Sequence, residues 1–232
     1  MKVEVVIVAA GRGKRFPESE LKQFYPLRGK PILCWTVAKF EECRLVDRII
    51  LTVPPGKEEY VREKILSPFK YKKIKAIVEG GEERSDSVFQ GLKKTEKDTD
   101  IILVHDGVRP LISLSLIEKV IEETNKYGAV SLGIPVKETI KEIKDENIVV
   151  KTLERERLYL TQTPQGFKRD IIWEAHKEAR KLGWRANDDA GLVERLGQRV
   201  KMLLGEEINI KITTSLDLKL AEMLLGEIDK CV

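Results

Sequence analysis

The chain is poor in the residues on which most acid–base and nucleophilic enzymes depend. Only two histidines occur in 232 residues, and neither stands in a recognisable frame with a serine or cysteine nucleophile. The three cysteines, Cys34, Cys43 and Cys231, are odd in number and lack metal-ligand spacing. They read as small packing residues in a reducing compartment. No apolar run reaches the ~18 residues of a membrane span, and no charged-then-apolar leader precedes the first strand, so no membrane association is expected and the cytoplasm is the expected location. Net charge is only +4, with both signs interspersed and no basic stripe. That argues against nucleic acid as a partner.

What is present is a strict alternation. Val- and Ile-rich runs at 3–9, 48–53, 74–78, 101–104 and 129–134 have the composition of strands buried on both faces. Helical stretches are predicted between them at 31–40, 57–66, 85–94 and 113–126. Pro31 suits a first helical position, and Ser85 and Ser113 suit N-caps. This order predicts a three-layer α/β/α sandwich around a mostly parallel sheet.

The regularity breaks after Pro135. Segments 136–143 and 148–153 alternate polar and apolar residues around the turn-like Lys144-Asp145-Glu146-Asn147, which predicts a β-hairpin. A hairpin with two exposed faces is marginal alone. It is expected to project as an arm, 136–158, onto another copy of the chain, the alternative being an antiparallel extension of the main sheet. Helices are predicted at 169–182, 188–196 and 215–225, the last capped by Thr214 or Ser215. Short strands are predicted at 200–204 and 208–212. With no repeat or low-complexity linker, 1–232 reads as a single domain plus the arm.

The unusual residues collect after the strands, where parallel sheets bind ligands. The first strand runs into Ala9-Ala10-Gly11-Arg12-Gly13-Lys14-Arg15-Phe16, followed by Lys22-Gln23. Glycines let a backbone approach an anion closely, and the cations match phosphate oxygens. The stretch lacks the Gly-Lys-Ser/Thr ending of a P-loop and the third glycine of a dinucleotide fingerprint. Alone, it fits either a phosphate cradle or a solvated basic turn. Gly80-Gly81-Glu82-Glu83-Arg84-Ser85-Asp86-Ser87 precedes a helix and suits a base edge, a phosphate or an ordinary capped turn. In His105-Asp106-Gly107-Val108-Arg109-Pro110, Asp106 ends a strand and suits a divalent metal, a ribose hydroxyl or turn formation. His105 continues the strand as a hydrogen-bonded support. A shortage of bases is no obstacle if both reactants are phosphorylated. A phosphate monoester is mostly dianionic at pH 7, with a second pKa of roughly 6, so it can attack unaided while Arg, Lys and magnesium offset the charge.

Ala9-Ala10-Gly-x-Gly-x-Arg15, Lys22-Gln23, Gly80-Gly81-x-x-Arg84-x-Asp86-Ser87-Val88, His105-Asp106-x-x-Arg109-Pro110, Pro135-Val136-x-x-Thr139, Thr163-Pro164-Gln165 and Asn209-Ile210-Lys211 occur in one order across nearly the whole chain. Together they resemble the 2-C-methyl-D-erythritol 4-phosphate cytidylyltransferase family of the non-mevalonate isoprenoid pathway. The resemblance implies a nucleotide-diphospho-sugar-transferase-like fold, CTP and methylerythritol phosphate as substrates, and Mg2+ as cofactor. It also implies a homodimer interlocked through the arm. Arg15 and Lys22 match the catalytic cations. Gly81, Glu82 and Ser87, with Ala9 and Ala10, fall where cytosine is held, and Asp106 where ribose meets the metal. Gly11, Gly107 and Arg109 join this substrate-contacting set. Thr139, Arg155 and Lys211 fall where methylerythritol phosphate binds.

Some positions depart from the family pattern. Leu21 replaces a usual proline, Glu82 an aspartate, Gly107-Val108 a usual Ala-Ala, and Asn187 a frequent threonine. Arg157 competes locally with Arg155, although counting back from Thr163-Pro164-Gln165 favours Arg155. The rivals are a ribitol-5-phosphate cytidylyltransferase on the same fold and a non-catalytic nucleotide-binding module. A glycosyltransferase ranks lower, because it calls for a metal-binding acidic pair and Asp106-Gly107-Val108 offers only one carboxylate.

Overall fold

Strands rich in Val and Ile define the sheet. The computed structural model describes residues 1–11 and 21–228. It runs β1 (Val3–Val8), β2 (Pro26–Leu27), β3 (Lys30–Pro31), α1 (Ile32–Glu42), β4 (Arg48–Val53), and α2 (Glu58–Tyr60) continuing as a π-helical stretch, Val61–Leu66. Next come β5 (Ile74–Glu79), α3 (Arg84–Leu92), β6 (Ile101–Asp106), α4 (Leu114–Tyr127), β7 (Ala129–Pro135), β8 (Lys141–Ile143) and β9 (Val149–Thr152). The chain ends with β10 (Tyr159–Lys168), α5 (Arg169–Leu182), α6 (Asp189–Arg195), β11 (Lys201–Leu204) and α7 (Ser215–Ile228).

Seven strands make the central sheet in the order β11-β7-β10-β6-β1-β4-β5. All neighbours are parallel except β10, which is antiparallel to both β6 and β7. Successive side chains of a strand face opposite ways, so β1 feeds two cores. Val3, Val5 and Ile7 pack under α1 and α4 with Leu33, Phe40, Ile117 and Ile121. Val6 packs on the other face under α3, α5 and α6 with Val88, Ile172 and Val193. These are the three expected layers. A third cluster seats α7 through Leu218, Ala221 and Leu225 against Leu27, Ile32 and Ile212.

Several local expectations change. Pro31 is the residue before α1, not its first. The cap of α3 is Glu83, whose side chain and that of Asp86 satisfy each other's backbone in a capping box, so Ser85 lies inside the helix. Ser113 does cap α4, accepting from Leu116 N–H at 3.2 Å, and Thr214 caps α7 by accepting from Asp217 N–H at 3.2 Å. Residues 208–212 form no strand; Ile212 N–H bonds only to the Val108 carbonyl, at 2.9 Å. The strand β10 was not foreseen. Strands β8 and β9 pair with each other in a separate two-stranded sheet and not with the central one.

Candidate active site

Strand order reverses about β1: β4 and β5 lie to one side of it and β6 to the other, all of them parallel. A crevice therefore opens between the carboxyl ends of β1 and β6. Backbone bonds carry the sheet into the loops there, with Gly107 N–H donating to Val8 O and Gly80 N–H to Val53 O, each at 2.8 Å. Gly80 packs so closely that a Cβ would overlap that of Ala10 and lie 2.7 Å from Ser87 Oγ. Gln23, 1 % exposed, donates from Nε2 to Ala9 O at 2.7 Å and Gly11 O at 3.3 Å. It ties the Lys22–Phe24 turn to the exit of β1.

Asp106 is the electrostatic centre. Its Oδ2 meets Lys211 Nζ at 2.8 Å and Arg109 Nε at 3.5 Å, and its Oδ1 meets Arg84 Nε at 3.2 Å. Burial alone would raise its pKa, but Arg84, Lys211 and Arg109 outweigh burial and hold the carboxyl well below the usual range. Arg84 also pairs through Nη1 with Asp189 at 2.7 Å. Burial of Asp189 is likewise outweighed, by Arg84 and His176, and its pKa falls to about 2. Arg84 is thus taken up between the two carboxylates, and Lys211 and Arg109 converge on the single oxygen Oδ2 at the end of β6, a surplus suited to a polyphosphate.

His105, fully buried, lies behind Asp106. Its Nε2 is 3.2 Å from the Arg109 carbonyl, which can only accept, and its Nδ1 is 3.1 Å from Thr163 Oγ1. The ring is therefore the Nε2–H tautomer, and Nδ1 accepts from the threonine hydroxyl. Burial pushes its pKa from 6.5 down to about 3. A neutral ring in the fold and a titrating ring in the unfolded chain mean that the unfolded state binds the extra proton below pH 6.5. The contribution is complete above that pH and declines as pH falls toward the folded value. Urea unfolding should give about 2 kcal/mol less stability at pH 5 than at pH 7 from this group, and His105→Gln should flatten that slope.

This site can be set beside known proteins. The family model described as IspD, 2-C-methyl-D-erythritol 4-phosphate cytidylyltransferase, matches residues 3–227. The chain belongs to this family. The 2-C-methyl-D-erythritol 4-phosphate cytidylyltransferase of Pelotomaculum thermopropionicum is 45% identical over 224 residues, covering 97% of this chain and 94% of that one. The protein of the same name from Caldanaerobacter subterraneus is 41% identical, covering 97% and 99%. Among solved structures, the 4-diphosphocytidyl-2C-methyl-D-erythritol synthase of Anaerococcus prevotii superposes with a TM-score of 0.85 at 32% identity, covering 97% and 96%. The Thermus thermophilus cytidylyltransferase gives 0.78 at 34%, covering 97% and 98%. The α/β/α sandwich expected from the strand–helix alternation, and the nucleotidyltransferase-like fold that the resemblance implied, are shared with these enzymes.

Within the family frame, the structure gathers Ala9, Ala10, Gly81, Ser87, Asp106, Gly107, Arg109 and Lys211 at or beside the crevice. Ser87 Oγ accepts from Gly81 N–H at 3.1 Å, and Glu82 lies exposed next to it. Gly11 and Lys22 stand at the β1 mouth. Arg12, Lys14 and Arg15 fall outside the described residues. Arg109 is committed inward, donating to Asn209 O at 2.7 Å and Thr161 O at 3.4 Å. Thr139 and Arg155 are exposed on the arm, where Arg155 donates to Lys137 O at 2.9 Å.

Asp106 was expected as the metal residue. Among the described residues no three His, Cys, Asp or Glu side chains converge on a metal position. A divalent ion fits only if the nucleotide supplies most of its oxygens, which is how magnesium takes one or two carboxylates plus phosphates. Cys34 and Cys43 are buried and unpaired; burial pushes the Cys34 thiol up to about 12, so it packs and does not react. The residues missed were the partners behind the site: Asp189, His176 and the buried amides Gln162 and Gln165. Asp189, His176 and Gln162 gave no signal but polarity in segments destined for the interior, and Gln165 stood in the Thr163-Pro164-Gln165 motif with no role assigned to it.

Proposed function

We propose that the chain transfers CMP from CTP to 2-C-methyl-D-erythritol 4-phosphate, giving 4-diphosphocytidyl-2-C-methyl-D-erythritol and pyrophosphate. The observation that carries this is the surplus of cations around Asp106 at the β1/β6 crevice in a chain of this family. Cytosine sits against Ala9, Ala10, Gly81, Glu82 and Ser87, where the Gly80–Ala10 contact brings two loops together. The acceptor's phosphate dianion attacks the α-phosphorus in line and pyrophosphate leaves. No side-chain base is required, and both histidines are buried in other duties. Lys22, and Arg15 by its place in the sequence, offset the charge that develops on the phosphoryl oxygens. Asp106 would hold Mg2+, which when bound supplies further neutralisation of the triphosphate. Lys211, at hydrogen-bonding distance from Asp106, reaches toward the acceptor phosphate.

Thr139 and Arg155 are placed on the arm, and we assign them to the acceptor site of a second copy. The exposed apolar residues Ile143, Ile148, Val149 and Val150 on the arm, with Tyr159 and Leu160 at its base, support a homodimer built through 136–158. The rest of 1–232 acts as one domain. No helix among the described residues is long and apolar enough to cross a membrane, which suits a cytoplasmic enzyme.

A pyrophosphate-release assay with CTP, Mg2+ and methylerythritol phosphate, run beside ribitol 5-phosphate and other nucleotides, tests the reaction. Turnover confined to ribitol phosphate would reject the acceptor. Arg155→Ala should raise KM for methylerythritol phosphate about tenfold with kcat little changed, because uniform binding is lost. An unchanged KM would remove Arg155 from the site.

A further inference from the structure

Behind Asp106 runs a line of buried polar groups that the reaction does not touch. Asp189, the first residue of α6, is 1 % exposed. Its Oδ2 takes Arg84 Nη1 at 2.7 Å and its Oδ1 takes His176 Nε2 at 2.9 Å. Its backbone is pinned as well, since Asp189 N–H and Ala190 N–H both donate to Gln165 Oε1, at 3.1 and 3.2 Å. Gln165 Nε2 in turn donates to Asp188 Oδ2 at 2.7 Å, while Asp188 Oδ1 caps α6 through Gly191 N–H at 2.9 Å. His176, on α5, lies 2 % exposed with its ring stacked on Phe89 of α3, the helix that carries Arg84. Asp189 is therefore a fixed post. Arg84 hangs from it and reaches Asp106 with Nε, so a single guanidinium fork joins two carboxylates on different elements.

A buried charge chain is a poor way to gain stability, because well-packed apolar residues do as well or better. It is a good way to fix an angle. We infer that His176, Asp189 and Arg84 form a positioning chain that holds the Asp106 carboxylate so that its Oδ2 faces the crevice, where a metal–nucleoside triphosphate complex binds. Arg84 occupies Oδ1 and leaves Oδ2 to Lys211, Arg109 and the cation that accompanies the nucleotide. The inference rests on the nucleotide-binding role of Asp106 given above. None of the three is a catalytic residue; each acts through Asp106.

The test is calorimetric binding of CTP without acceptor, with Mg2+ and again in EDTA. It uses the full-length protein and three variants: Asp189→Asn, Arg84→Lys and His176→Phe. Lysine keeps the charge but cannot bridge two carboxylates with a fork, and phenylalanine keeps the stacking on Phe89 but loses the bond to Asp189. Weakening of Mg2+–CTP binding by fivefold or more for Asp189→Asn and Arg84→Lys, with metal-free binding within twofold of wild type, is expected. A smaller loss in the same direction is expected for His176→Phe. If one variant fails to fold, the ratio in the others decides. Equal loss of both affinities, an unchanged ratio, or loss of fold in all three assigns the chain to stability alone and overturns the inference. Wild-type turnover in the pyrophosphate assay is measured alongside. Its absence would reject the proposed reaction, whereas turnover with an unchanged ratio would reject only the positioning chain.

Discussion

Lys22→Ala is expected to lower turnover of CTP and methylerythritol phosphate by ~10²–10³, by analogy with the loss of one preorganised electrostatic donor. The reaction brings a phosphate dianion to a triphosphate. Its barrier is dominated by charge, and a reaction of this kind leaves little covalent chemistry for the protein to perform. Lys22 opens the Lys22–Phe24 turn, which Gln23 fastens to the Ala9 and Gly11 carbonyls. The ammonium is therefore carried on backbone that is fixed to the exit of β1, beside the crevice. Because the loss would fall on the transition state, kcat and kcat/KM should drop together. Steady-state kinetics at saturating Mg2+ measures this, and a near-normal kcat would remove Lys22 from the catalytic role.

The second large effect is expected from Asp106→Asn. An asparagine is close to isosteric, yet one of its two polar atoms is a donor, and it would face Arg84 on one side or Lys211 and Arg109 on the other. Donor would meet donor. Removing the charge also leaves three cations near a buried neutral group, and breaking a buried pair of this type costs about 3–5 kcal/mol. Urea unfolding at pH 7 should show that loss. Turnover, measured where the variant remains folded, should fall by ~10² as the anchor for the nucleotide's cation disappears. Wild-type stability would mean that the cations find other partners and that Asp106 is not the centre of the cluster.

The same side chains explain which parts of the structure were legible beforehand. β1, β4 and β6 were readable because both faces are covered, so each is a mainly Val, Ile and Leu run of about the right length. β10 was not readable. Its stretch from Gln162 to Phe167 is as buried as its neighbours, but it carries Gln162, Thr163, Pro164 and Gln165 where a core strand would carry aliphatics, and its register slips between Gln162 and Gly166. Those polar residues are inside because they have partners there: Thr163 with Asp106 N–H, Gln165 with the start of α6, and Gln162 with Glu206. The alternating Ile208, Ile210 and Ile212 looked like a strand for the opposite reason. The pattern is periodic, but the Asn209 amide is tied to the Thr163 carbonyl, and the segment crosses beneath the β6 loop to deliver Lys211.

The sequence by itself determined the layers, the strand-end loops and the family. These follow from local periodicity and from motifs that lie within a few residues of one another. Only the tertiary structure decided the antiparallel β10, the inward commitment of Arg109 and the separate pairing of the arm. It also decided that Asp106 shares Arg84 with an aspartate 83 positions further along the chain. Such contacts depend on where distant elements are packed, and a buried carboxylate has no periodicity by which it could be recognised in advance.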